Sequence, residues 1–183
     1  MKYKIAVIRG DGVGPEVIDE GIKVLKAVEE VSKLKFEFIE APCGGSVYKK
    51  TGKSLPEDTV DICKKSDAIY KGPVGLPDIT PGVIEREVIL TLRQEFDQYI
   101  NLRPVKLYDS LRDTSPLKEK QIGKGIDIIV VRENSEGLYS KHGGISKEVA
   151  TDINLFTKKG VDRIIEYSFE LAKKLKKKKV TSV

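Results

Sequence analysis

An α/β fold with parallel strands is what this sequence predicts, and three observations carry the prediction. Short apolar runs alternate with segments of helical period, glycine or proline marks most of the switches, and no internal repeat or low-complexity stretch interrupts the pattern apart from one lysine run. Alternation of this kind places helices over both faces of a sheet, which is the setting of parallel strands. At 183 residues and 39% hydrophobic content, the chain supports one ordinary domain or two small lobes with a core.

Residues 3–8, Tyr-Lys-Ile-Ala-Val-Ile, read as a buried strand. A glycine loop over 10–14 then opens at Pro15 into a helix with Val17, Ile18, Ile22, Leu25 and Val28 on one face. Residues 36–39 form a second strand, 56–65 a helix with Glu57 and Asp58 in its first turn, and 68–70 a third strand ending at Gly72-Pro73-Val74-Gly75. A helix over 85–99 follows. Near residue 100 the composition shifts to a proline-containing extended segment, after which Gly123-Lys124-Gly125 leads into an apolar strand over 126–131. Residues 137–150 are glycine-rich and polar, as a hairpin or an arm would be. Val161, Ile164, Ile165, Phe169, Ala172 and Leu175 recur at helical spacing, so 157–179 reads as a long amphipathic helix, and 180–183 as the start of a strand. The expected division is 1–99 for the first part of a larger α/β domain and 100–183 for the start of a smaller one.

Charge and composition exclude several classes. Lys+Arg 33 against Asp+Glu 28 gives a net +5, and Lys173, Lys174 and Lys176 to Lys179 supply most of that excess, so no nucleic-acid partner is expected. Cations in the last turns of a helix instead favour the negative end of its dipole. No apolar run is long enough for a membrane span and no signal peptide opens the chain, which makes the cytoplasm the expected compartment. Cys43 and Cys63 form neither a CxxC pair nor a disulfide framework. His142, the single histidine, has no second histidine or nearby cysteine with which to hold a metal.

Two patterns bear on chemistry. Gly10-Asp11-Gly12-Val13-Gly14 follows a strand and opens a helix as a dinucleotide loop does, but its spacing is G-x-G-x-G, which favours a tight turn whose glycines take positive φ. Arg93 late on a helix, Arg103 before Pro104 and Arg132 closing an apolar strand lie on three separate elements. Each planar guanidinium can grip a carboxylate at two points, so three of them suit a clamp for a di- or tricarboxylate.

Four motifs in order now bear on kinship: Gly-Asp-Gly-Val-Gly-Pro-Glu at 10–16, Lys-Gly-Pro-Val-Gly at 71–75, Leu-Arg-x-x-x-Asp-x-Tyr-x-Asn-Leu-Arg-Pro at 92–104, and Val-Arg-Glu-Asn-Ser-Glu-Gly-Leu-Tyr at 131–139. Together they resemble the isocitrate/isopropylmalate dehydrogenase family, NAD(P)-dependent and metal-dependent enzymes that oxidise a 2-hydroxy acid and release its β-carboxylate as carbon dioxide. The resemblance implies a two-lobed isopropylmalate dehydrogenase-like α/β fold with the C-terminal half absent. It also implies that Arg93, Arg103 and Arg132 clamp the substrate carboxylates, that Tyr139 protonates the enol left by decarboxylation, and that Val13, Gly72, Val74 and Gly75 face the NAD cofactor. Family members keep their general-base lysine just beyond a Val-Thr-x-Val strand and their Mg²⁺ or Mn²⁺ aspartates later still. This chain ends on Val180-Thr181-Ser182-Val183, so no metal ligand is assigned to it and it alone is expected to be inactive.

Ile89 and Leu90 fall where the isopropylmalate enzymes place aliphatic residues against an isopropyl group, whereas isocitrate enzymes would show Ser and Asn at 87 and 89, here Glu87 and Ile89. Phe96 to Tyr99 and Gly143-Gly144 look more like the tartrate and D-malate branch, and Arg86 stands where isopropylmalate enzymes carry a cofactor-side Glu. The expected ligand is a small dicarboxylic acid and the expected state a homo-oligomer. Two functional classes follow: the N-terminal part of a 3-isopropylmalate or tartrate/D-malate dehydrogenase, or a truncated non-catalytic chain that binds acids or dimerises.

Overall fold

The computed structural model describes residues 1–140 and 142–183 and divides into two compact units, Met1–Leu92 and Arg93–Val183. The division falls within a helical segment, before the 99/100 boundary that composition suggested.

The first unit runs β1 (Lys2–Ile8), α1 (Gly14–Val31), β2 (Lys35–Glu40), α2 (Gly45–Thr51), α3 (Glu57–Lys64), β3 (Ala68–Lys71) and α4 (Val83–Glu85), which continues into a π turn over Arg86–Leu90. Its sheet is parallel, in the order β2-β1-β3, with Val7 registered against both Glu40 and Tyr70. The apolar run of β1 explains its central place, since Ala6, Val7 and Ile8 are fully buried. Ile18 packs on Ile5 and Val7 with Tyr3, Ile22, Phe36, Phe38 and Tyr70 around them. Gly21 gives the Tyr70 hydroxyl room, because a Cβ there would stand 1.7 Å from it. Val17, expected on this face, is half exposed; the buried stripe runs through Ile18 and Ile22 instead.

A buried carboxylate gathers the loops at the C-terminal ends of the three strands. Asp11 accepts backbone hydrogen bonds from Gly45 at 2.6 Å, Ser46 at 3.0 Å and Gly75 at 2.9 Å, while its own N–H donates to the Pro73 carbonyl at 2.8 Å. Two of those donors are the first N–H groups of α2, so the same carboxylate caps that helix. The glycine loop closes around it with no space to spare: Gly10 has φ +75°, and a Cβ there would meet the Pro73 carbonyl oxygen at 1.8 Å.

The second unit holds Arg93 in the last turn of α5 (Thr91–Glu95), then β4 (Ile100–Lys106), a 3₁₀ turn over Asp109–Thr114, α6 (Glu119–Ile122), β5 (Asp127–Glu133), the exposed hairpin β6 (Gly143–Ser146) and β7 (Val149–Asp152), and α7 (Lys158–Lys174). Strands β4 and β5 pair antiparallel with Asn101 opposite Arg132 and Arg103 opposite Val130. The two-residue period therefore puts Asn101, Arg103 and Arg132 on one face and Glu133, which lies 3.9 Å from Arg163 of α7, on the other.

Both long helices stop earlier than the sequence suggested, and for one reason. After α5, Gln98 N–H bonds the Arg93 carbonyl at 2.8 Å and Asp97 N–H the Gln94 carbonyl at 3.2 Å; after α7, Lys177 N–H bonds Ala172 at 2.8 Å and Lys176 N–H bonds Lys173 at 3.1 Å. Each is a Schellman stop. The left-handed position that glycine usually fills is taken by Asp97 (φ 43°) and Lys176 (φ 54°). Residues 180–183 form no strand. The chain turns out of α7 there, and Lys177 holds the Asp127 carboxylate at 2.9 Å.

Two measurements test this architecture. Gly10→Ala forces a Cβ into backbone at positive φ, so urea unfolding should show a loss of about 2 kcal/mol or more. Burial pushes the Asp11 carboxyl up, but the hydrogen bonds from Gly75, Gly45 and Ser46 outweigh it and leave its pKa below the ordinary 3.8. Its stabilisation is then complete above that ordinary value and is lost as pH falls through the depressed one. Asp11→Asn should therefore cost about 2 kcal/mol at neutral pH, and the gap between variant and wild type should close in acid.

Candidate functional site: an arginine–tyrosine clamp

Arg93 leaves α5 three positions before its cap, with its carbonyl held by the helix stop just described. Arg132 is the penultimate residue of β5. Beyond it the chain reverses: Glu133 accepts hydrogen bonds from the Ser135 and Glu136 N–H groups and the Ser135 hydroxyl, at 2.7 to 3.1 Å. Gly137, with φ +70°, then bonds Leu155 across an isolated bridge, which brings Tyr139 back beneath the strand end.

Tyr139 ends between two guanidinium groups. Arg93 lies 5.2 Å and Arg132 5.0 Å from the ring centroid, and the Tyr139 hydroxyl oxygen accepts a hydrogen bond from Arg132 Nη2. The Tyr139 carbonyl in turn accepts from Gln94 Nε2 at 3.2 Å. The electron-rich face of the ring draws both cations, which would otherwise repel each other. Since the phenol oxygen accepts from Arg132, its own proton is left to donate elsewhere. The arrangement can hold a carboxylate and offer a proton beside it.

Arg103 is exposed on the same face of the ribbon as Arg132, diagonal to it, and has no ion-pair partner among the described residues. Arg93 and Arg132 are thus joined through Tyr139, whereas Arg103 shares their unit and the Arg132 face. Sequence reasoning missed the residues that shape this site. Asn134 donates to the Gln98 carbonyl at 3.1 Å and accepts from Asn101 at 3.2 Å, while Arg163 reaches Asp97 at 2.8 Å and Ser135 at 2.8 Å. Asn101 and Asn134 lay inside the quoted motifs, and their amides were the available signal; Arg163 gave none.

The remaining expected residues belong to the first unit. Val13 is exposed, Val74 and Gly75 are half-buried, and Gly72 is buried, all at the C-terminal edge of the parallel sheet, where open α/β sheets take ligands. Gly10 and Gly14 are accounted for by close approach to the Pro73 and Arg9 carbonyls and Gly12 by its positive φ, while the Asp11 carboxylate takes N–H groups of the neighbouring loops, which disfavours a phosphate in the loop itself. Val13, Val74 and backbone groups fit a neutral planar ring better than a diphosphate. Ile89 and Leu90 are half-buried on the π turn, and the Glu87 carboxylate is held by the Ser54 N–H at 3.1 Å and by the Ser54 hydroxyl. His142 is exposed, and its carbonyl accepts from Ile153 N–H at 2.9 Å. Among the described residues no group of three His, Cys, Asp or Glu side chains can hold a metal ion, and no helix is long and apolar enough to cross a membrane.

The chain thus carries a parallel sheet with a ligand-type edge and a separate arginine–tyrosine cluster, and comparison with known proteins supplies the family. The profile of the isocitrate/isopropylmalate dehydrogenases matches residues 4–183, so the chain belongs to that family. It is 42% identical to a 3-isopropylmalate dehydrogenase from Aquifex aeolicus, over 100% of this chain and 52% of the relative, and 44% identical to one from Thermotoga maritima, over 98% and 52%. A probable tartrate dehydrogenase/decarboxylase from Agrobacterium vitis is 43% identical over 100% of this chain and 52% of its own length. Among solved structures, isocitrate dehydrogenase from Methylococcus capsulatus superposes with a TM-score of 0.80 at 30% identity, over 96% of this chain and 49% of that one. The chain spans about half the length of the curated relatives it matches.

The ring between the cations is open to test. Tyr139→Phe removes one hydrogen bond and should cost about 1 kcal/mol. Tyr139→Leu removes the ring as well and should cost about 1 kcal/mol more. Urea unfolding at low salt compares the two, and equal losses would mean that the guanidinium groups do not use the ring.

Proposed function

We propose that this chain supplies the substrate-carboxylate clamp of an NAD-dependent, metal-dependent oxidative decarboxylase acting on a 2-hydroxy dicarboxylic acid of the 3-isopropylmalate type. The observation that carries the reading is the convergence of Arg93 and Arg132 on Tyr139 in a chain of this family. Arg93 and Arg132 take the substrate carboxylates, with Arg103 joining them when the ligand arrives. Tyr139, already aligned by Arg132, gives its proton to the enol carbon left when carbon dioxide departs. Ile89 and Leu90 would offer aliphatic surface to a branched alkyl substituent, and Val13, Gly72, Val74 and Gly75 are the residues that would hold the nicotinamide, whose chemistry when bound is to take up a hydride. The residues described here do not make a metal site, so no step is assigned to a metal that they hold. The chain acts in the cytoplasm as a homo-oligomer.

A second reading, an acid of the tartrate or D-malate type, is favoured by the Agrobacterium vitis relative, whose identity of 43% equals that of the isopropylmalate enzymes within a point. Titration of the chain with 3-isopropylmalate, D-malate and tartrate at low salt, followed by the Tyr139 ring resonances, separates the two. Binding should be on the order of millimolar and should weaken about tenfold in both Arg132→Ala and Arg103→Ala. A preference of about tenfold for 3-isopropylmalate over D-malate supports aliphatic recognition. Equal binding by wild type and Arg132→Ala would remove the clamp.

A further inference from the structure

We infer that Arg163 is the positioning residue of this clamp: one guanidinium on α7 ties the helix stop that aims Arg93 to the chain reversal that sets Tyr139 beside Arg132. The inference rests on the reading of Arg93, Arg132 and Tyr139 as a carboxylate site. Arg163 Nη1 donates to both Asp97 carboxylate oxygens, at 2.8 and 2.9 Å, and Nη2 to the Ser135 hydroxyl at 2.8 Å, while the guanidinium lies 4.2 Å from the Tyr99 ring centroid. The Glu133 carboxylate stands 3.9 Å from Nη2.

Each contact falls next to a clamp arm. Asp97 occupies the left-handed position of the stop whose first carbonyl belongs to Arg93. For a residue other than glycine that conformation is uncommon, and the bonds from Arg163 to both Asp97 carboxylate oxygens favour it here. Ser135 and Glu133 make the turn that follows Arg132, and the Tyr99 carbonyl accepts from Asn134 N–H at 3.0 Å in the same turn. The side chain also keeps a cost that a purely packing residue would shed, because Arg163 Nε is buried with no hydrogen-bond partner. Only a planar fork reaches Asp97 and Ser135 together while lying on Tyr99, and lysine, a compact point charge, cannot span both turns.

The test uses the full chain with Arg163→Lys, Arg163→Met and the milder Ser135→Ala, which leaves the Glu133 bonds to backbone in place. Each variant that circular dichroism shows to be folded is read in two ways: the contact between the Arg132 guanidinium and the Tyr139 ring by NMR without ligand, and the affinity for D-malate. The expected result is loss of the contact and about tenfold weaker binding in Arg163→Lys and Arg163→Met, with a smaller fall in Ser135→Ala. A merely structural residue would lower the melting temperature and leave contact and affinity unchanged in the folded variants. Retention of the Arg132–Tyr139 contact in folded Arg163→Lys, or in Ser135→Ala if neither Arg163 variant folds, overturns the inference. If the wild-type chain binds none of 3-isopropylmalate, D-malate and tartrate, the carboxylate reading fails, and the ligand-free contact still decides the role of Arg163.

Discussion

A charge taken out of water needs hydrogen bonds from its surroundings, and that requirement organises the first unit around Asp11. Three N–H groups from two loops meet one carboxylate, and the third loop carries it. Replacing those bonds with water would require opening all three loops at once, so their conformations are linked rather than independent. The glycines follow from this constraint. Gly10 and Gly14 allow the loop to press on the Pro73 and Arg9 carbonyls, distances that any Cβ would violate. In this chain the G-x-G-x-G sequence after β1 is a loop whose own carboxylate binds the neighbouring loops.

The second unit meets a similar demand with the opposite sign. Arg163 draws Asp97, Ser135, Tyr99 and, at longer range, Glu133 around a largely buried guanidinium. Glu136 extends the network to the start of α7, where its carboxylate accepts from the Thr157 N–H at 2.8 Å and hydroxyl at 2.6 Å while Thr157 caps the helix through Gly160 N–H at 3.0 Å. The helix that carries Arg163 is therefore anchored to the same turn that Arg163 holds. Such mutual anchoring makes the turn after β5 a fixed structure, which is what a site on a chain reversal requires if its side chains are to keep their aim.

The parallel sheet was legible in the sequence because β1 is a buried apolar run, β2 and β3 are short apolar-rich segments and α1 is amphipathic, and these signals are local. Resemblance singled out Arg93, Arg103, Arg132 and Tyr139; the structure brings Arg93 and Arg132 to the Tyr139 ring and puts Arg103 on the same face of the ribbon as Arg132. The helix ends were not legible. Glycine is the residue that usually announces a left-handed stop, and here Asp97 and Lys176 take its place. Asp97 is held in that conformation by a residue 66 positions away, which no local pattern encodes. The short helix α2 was missed for a related reason: the group that caps its first N–H donors is Asp11, 34 residues earlier. Long-range partners of charged side chains decide these features, and periodicity carries no information about them.

The proposed clamp, read as an anion site, illustrates how like charges can be held together without a ligand. Two guanidinium groups brought toward one place repel each other, and a site built from them alone would splay apart until an anion arrived. The ring of Tyr139 changes that balance, since each of its neighbours gains a contact with the π face and Arg132 gains a hydrogen bond to the hydroxyl. Both cations are then held beside one ring, and guanidinium donors beyond the one bonded to the hydroxyl remain. The reorganisation that an incoming acid would otherwise have to drive is largely done beforehand, and electrostatic sites gain most of their strength from that kind of preparation. The proposed proton donor is the same phenol that contacts both arginines, so in that reading positioning and proton donation depend on one side chain.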